Sequence, residues 1–199
     1  MSKDPGWKLS MKYPAGWIQL PTGGHDKPDR WAGQKARETL GAQAPPERVK
    51  ARAEDLAKMT YGARARNDWY GLVFYPPSAS GIVALLDIKA YQPGREYRTM
   101  TLDVLEEVFG GPSADTVGDA VVSREQLPGG PAVRVRRMRA EAADPAGQST
   151  LIEGVTHAIK PPGIDGAVEV TMTWTALQLG DKLAEMADAI AHTIRITPP

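Results

Sequence analysis

Imidazole changes charge near neutral pH and ligates divalent metals, so the three histidines, His25, His157 and His192, are the first places to look for proton transfer or a metal. No pair of them has the short spacing, such as His-x3-His, that a metal site usually shows, and the sequence implies no metal ligands. His192 stands at the end of the last helical stretch, where the negative end of a helix favours it. His157, beside Thr156 in a candidate strand, would be a general base if it pointed into a pocket; the plainer reading is a hydrogen-bonded strand residue. Acyl transfer needs a nucleophile on a tight turn, yet no Gly-x-Ser-x-Gly exists, and Pro77-Ser78-Ala79-Ser80-Gly81 lacks the first glycine. Phosphate cradles need glycine-rich backbone. There is no Gly-x-Gly, and Gly23-Gly24-His25-Asp26-Lys27 lacks Walker spacing. Glu106-Glu107 are neighbours on a helix and point apart, so they cannot flank one glycosidic bond. No catalytic residue, cofactor-binding residue or cofactor is assigned.

The most unusual run is Arg134-Val135-Arg136-Arg137-Met138-Arg139. In a strand, Arg134 and Arg136 share one face while Arg137 and Arg139 share the other, so both faces are cationic unless a bulge intervenes. Cross-strand pairing with Glu153, Glu169 or Glu141 is the plain explanation; a phosphate or acidic-partner site is the sharper one. The run has no interleaved aromatic platform for RNA. Among the five tryptophans, Trp7 and Trp174 lie on apolar strand faces and are expected in the core. Trp31, with few apolar neighbours in sequence, is expected to be exposed, and an exposed Trp near basic residues suits a binding surface.

Lys plus Arg and Asp plus Glu both total 24 of 199 residues, which leaves no global positive field for nucleic acid or an anionic bilayer. The largest local imbalance lies between Arg30 and Arg66, where nine basic residues face four acidic ones. The absence of cysteine excludes disulfides, thiolate nucleophiles and Cys-type metal sites. The first residues have no apolar signal segment, and the longest apolar run, near Ile82 to Leu86, is too short to span a bilayer. A cytoplasmic location is therefore expected. Abundant Ala, Arg, Gly and Pro beside a single Asn suggest a bacterial source.

Trp7, Leu9, Met11 and Tyr13 alternate with Lys8, Ser10 and Lys12, the pattern of a half-buried strand. Pro14-Ala15-Gly16 then turns into a second short strand, Trp17 to Leu20, so the fold is expected to open with a hairpin. Pro28 to Leu40 and Glu47 to about Arg64 read as helices, the second with Val49, Ala53, Leu56 and Met59 on one stripe. Trp69 to Tyr75 and Gly81 to Tyr91 read as strands. Thr101 caps a short helix carrying Leu102, Leu105, Val108 and Phe109. Four strands follow, Thr116 to Leu127, Ala132 to Glu141, Thr150 to Lys160 and Ala167 to Ala176, joined by turn formers such as Pro128-Gly129-Gly130-Pro131 and Asp144-Pro145-Ala146-Gly147. Links this short imply an antiparallel meander. In the last strand Val168, Val170, Met172 and Trp174 take the core face and Glu169, Thr171 and Thr173 the polar face. Asp181 to Thr193 is the clearest helix, with Asp181 at the N-cap. With no composition break, residues 1–199 are expected to form a single α+β domain, an antiparallel β-sheet flanked by helices.

Tyr13-Pro14-Ala15-Gly16-Trp17 followed by Leu20-Pro21 resembles the opening of the PsbP-like family, as do the element order and the closing amphipathic helix. That resemblance implies an α-β-α sandwich, usually a binding module without an active site; the family includes a photosystem subunit, a Ran-binding import factor and actinobacterial lipoproteins of the LpqN type. The expectation is a non-catalytic cytoplasmic protein-interaction module whose polar sheet face and helix edge, with Trp31, Arg134, Arg136 and Glu169, meet a protein partner. No nucleic acid and no membrane span are expected. The alternative is a small-molecule-binding protein or enzyme with a pocket between sheet and helices, using His157 or Glu169 as its polar group.

Overall fold

The computed structural model describes residues 6–23, 27–94, 97–141 and 149–198, so His25 and the Asp144-Pro145-Ala146-Gly147 turn lie outside the described residues. In chain order the elements are β1 (Lys8–Ser10), β2 (Trp17–Leu20), α1 (Pro28–Leu40), α2 (Pro46–Ala65), β3 (Tyr70–Phe74), β4 (Ala84–Tyr91), α3 (Leu102–Gly110), β5 (Thr116–Leu127), β6 (Gly130–Ala140), β7 (Leu151–Ile159), β8 (Ala167–Trp174), α4 (Gly180–Ala191) and β9 (Arg195–Thr197). Seven strands hydrogen-bond in the order β2-β3-β4-β8-β7-β6-β5, and β1 pairs with β9 in a separate ribbon. The chain divides into two compact units, Pro14–Asp87 and a unit built from Met1–Tyr13 with Ile88–Pro199.

In the Pro14–Asp87 unit, β2 runs antiparallel to β3, with Trp17 opposite Phe74 and Leu20 opposite Gly71. The turn before β2 depends on Gly16, whose φ is +94° and where a Cβ would lie 2.9 Å from the Phe74 ring. Both helices begin with proline, whose missing N–H is one the first turn leaves unpaired anyway. Ile18, Leu20, Leu56 and Val73 form the centre of this core with small residues from both helices. Trp31 is half-buried and packs against that core rather than standing out in solvent, because α1 offers little else large enough to fill the gap. The buried stripe of α2 also differs from expectation. Arg52, Leu56, Thr60 and Ala63 are inside, whereas Val49 and Ala53 are only half-buried. Arg52 is accommodated because its guanidinium lies 3.9 Å over the Tyr75 ring and donates to the Pro76 carbonyl at 3.1 Å.

In the other unit, β5, β6, β7 and β8 form the expected antiparallel meander. Paired residues across it share a face, so the register assigns the layers. Val133, Val135 and Ala158 pack with Leu105 of α3, while Arg134, Arg136, Glu153 and His157 meet α4 on the opposite face. Val168, Val170, Met172 and Trp174 are all at most 2% exposed on the α4 face. Thr101 caps α3 by accepting from the Val104 N–H at 3.2 Å. The expected opening hairpin does not form: β1 ends at Ser10 and pairs with β9, Leu9 opposite Ile196, while β2 pairs with β3. Alternation fixes which face of a strand is buried, not which strand lies beside it. Helix α4 starts at Gly180, so Asp181 lies inside the first turn and is not the cap.

Candidate functional site

Arg134 on β6 and His157 on β7 are cross-strand partners, so both side chains rise from one face toward α4. There Asp188, on the third turn of the helix, accepts a two-pronged bond from Arg134 at 2.7 and 3.0 Å and lies 3.0 Å from His157 Nε2. Glu125 of β5 completes the group, its Oε1 3.3 Å from the same Nε2 but outside hydrogen-bond geometry. His157 is 1% exposed. Burial pushes the Asp188 carboxyl up, but the bonds from His157 and Arg134 outweigh it and bring the pKa down to about 2.

A second cluster lies at the start of α4. Glu153 accepts from Arg136 at 2.7 Å and from the Trp174 indole N–H at 3.0 Å, and Arg136 also reaches Asp181 at 2.9 Å. Glycine at residue 180 lets the helix start close against this carboxylate; a Cβ there would meet Glu153 Oε2, and the carboxylate would have to shift. On the opposite face, Glu169 accepts from Tyr91 at 2.6 Å and from Thr171 at 2.9 Å, with Lys89 at 4.0 Å. Arg137 turns to this side too and donates to the Phe109 and Gly111 carbonyls at the end of α3.

The Pro14–Asp87 unit holds its own charged group. Asp68, at 1% exposure, and Asp87 share Arg66, which donates to them at 2.8 and 2.9 Å. Burial first, and then the neighbouring Asp68 charge, push Asp87 up to about 7 against the pull of Arg66. Asp68 Oδ1 has no hydrogen-bond partner among the described residues, and a hydrogen bond between the two carboxyls adds to the rise at Asp87.

Of the residues expected to meet a partner, Arg134 and Arg136 come together, Glu169 lies on the other face of the same meander, and Trp31 belongs to the other unit. The expected pairing with Glu153 is present; the partners Asp188 and Asp181 were missed. They lie seven residues apart on one helix, two turns on the same side, which is the signal that would have found them. His192 donates to the Asp188 carbonyl at 2.9 Å at the end of α4, as its position suggested. Among the described residues no three His, Cys, Asp or Glu side chains are placed to hold a metal ion, and no helix is long and apolar enough to cross a membrane.

Three of the hollows among the described residues are lined by other residues than His157, Glu169, Arg134 and Arg136. The largest of these three, about 730 Å³, is an open groove between α1 and α2, with Gly33, Ala44, Val49 and Ala53 in its walls and Arg37 and Lys50 at its edge. Its rim carboxylate, Glu38, is held by Lys35 at 3.2 Å and Gln34 at 3.0 Å.

No family model and no curated protein matches the sequence. Solved structures do. LpqN, involved in cell envelope biogenesis of Mycobacterium tuberculosis, aligns with a TM-score of 0.50 at 16% identity, over 98% of this chain and 87% of that one. The fold is PsbP-like. The cyanobacterial PsbP (CyanoP) from Synechocystis sp. PCC 6803 aligns with a TM-score of 0.41 at 8% identity, over 96% of this chain and 93% of that one. At such identities a PsbP-like likeness concerns backbone architecture, and function must be argued from the site.

Proposed function

We propose that this protein is a non-catalytic protein-interaction module whose α1–α2 groove seats an amphipathic helical segment of a partner flanked by acidic residues. The observation that carries the reading is the groove itself: about 730 Å³, walled by small and apolar side chains, with Arg37 and Lys50 at its edge. Arg37, at the groove's edge and in no ion pair among the described residues, favours an acidic occupant. Trp31 contributes by holding α1 on its core. A non-catalytic role is supported by His157, which is 1% exposed with its Nε2 held by Asp188 at 3.0 Å. LpqN takes part in cell envelope biogenesis, and a partner in envelope assembly is consistent with this reading. The experiment is photocrosslinking in cells with p-benzoylphenylalanine at Val49. An adduct with one defined protein, lost when Ala53→Trp fills the groove, is expected. Adducts with small molecules only, or a protein adduct indifferent to Ala53→Trp, would overturn the reading.

A further inference from the structure

We infer that the hollow formed by β1, β9 and the C-terminal end of α4 binds a phosphate-type oxyanion, as carried by a phosphomonoester of a small organic molecule. The hollow, about 420 Å³, is lined by Ser10, Met11, Lys12, His192, Thr193 and Arg195. None of these is acidic, and neither residues 6–13 nor residues 192–198 contain an Asp or Glu.

The framework around these groups is well defined. Ser10 stands opposite Arg195 in the ribbon, so their side chains share one face. The Thr193 hydroxyl accepts from the Lys12 N–H at 2.8 Å and returns its proton toward the Lys12 carbonyl at 3.0 Å and the Ile190 carbonyl at 2.8 Å. This clasp fixes the backbone from which Lys12 projects. Neither Lys12 nor Arg195 has an ion-pair partner among the described residues. Arg195 spends only Nη1, on the His192 and Ile194 carbonyls at 3.4 and 3.1 Å, which leaves its other donors for a ligand.

The negative end of α4 would oppose an anion here if its carbonyls were bare. They are not. Asp188 O accepts from the His192 backbone and ring at 3.0 and 2.9 Å, Ile190 O from Thr193, and Ala191 O from the Ile194 N–H at 3.1 Å. A flexible ammonium and a guanidinium with open donors, beside the Ser10 hydroxyl, match the oxygens of a phosphate. The volume exceeds what a bare oxyanion needs, and Met11 offers an apolar wall to the organic part.

The test is amide NMR on the whole 15N-labelled chain, titrated with glycerol 3-phosphate and with inorganic phosphate at an ionic strength held constant with sodium chloride. Saturable shifts centred on residues 10–12 and 192–195 are expected, with affinity at least tenfold weaker in the Lys12→Gln/Arg195→Gln variant. Both side chains are exposed, so this variant should unfold at the wild-type temperature. Tighter binding of the ester assigns the ligand as a small phosphorylated molecule; equal binding assigns the free anion to the same site. No saturable shift, saturable shifts elsewhere, or shifts retained in the variant would overturn the inference.

Discussion

At Asp188 one carboxylate satisfies an arginine and a buried histidine at once, so its removal leaves two donors facing each other. Breaking an ion pair in this way costs about 3–5 kcal/mol when fully buried; Asp188 keeps 33% of its side chain exposed, and Asp188→Asn is expected near about 2–3 kcal/mol in urea denaturation. Its folded pKa lies below the unfolded value of 3.8, so its contribution is full above about pH 4 and is lost as the pH falls toward 2. The gap between wild type and Asp188→Asn should close over that interval. Asp87 works in the opposite sense. A folded pKa near 7 means that ionising it in the fold is unfavourable, so stability declines as the pH rises from about 4 to about 7. Asp87→Asn should flatten that decline, and an unchanged slope in pH-dependent unfolding would contradict the Asp68–Asp87 account. Residues in the arginine run were partly legible: alternation correctly assigns Arg134 and Arg136 to one face and Arg137 to the other. Their partners were not, because a strand's own pattern carries no information about a helix some fifty residues later.

Helix α4 illustrates how a small residue positions an element. Gly180 has the lowest helix propensity short of proline, yet any side chain there would displace the Glu153 carboxylate and with it the bonds from Arg136 and Trp174. Gly180→Ala should therefore destabilise by about 1–3 kcal/mol despite its gain in propensity, as read by thermal denaturation. A neutral or stabilising result would show that the helix start can shift away from Glu153. Elements with strong periodicity or sharp punctuation, such as α4, α2 between Pro46 and Ala65, and the four-strand meander, were legible with boundaries close to those observed. Three-residue β9 was not, since a segment of that length carries no periodicity. The α1–α2 groove was equally silent, because Gly33, Ala44 and Ala53 signal only smallness.

For the molecule as a whole, the α+β class and the meander followed from turn-rich links too short for parallel crossovers, a constraint that acts locally and so can be read locally. The pairing of β1 with β9 joins residues nearly two hundred positions apart, and no local rule predicts it. The division into Pro14–Asp87 and a unit drawn from both sides of it leaves no trace in composition, since one continuous strand, β4, passes through the boundary. The β1–β9 ribbon also has a mechanical consequence. Lys8 sits opposite Thr197 and Ser10 opposite Arg195, so tension applied through the two flanking chain segments loads the ribbon's hydrogen bonds one after another, like a zipper, rather than together in shear. In a force-ramp measurement the ribbon should peel open at low load before the meander yields, releasing the Lys12–Thr193 clasp as an early, separate step.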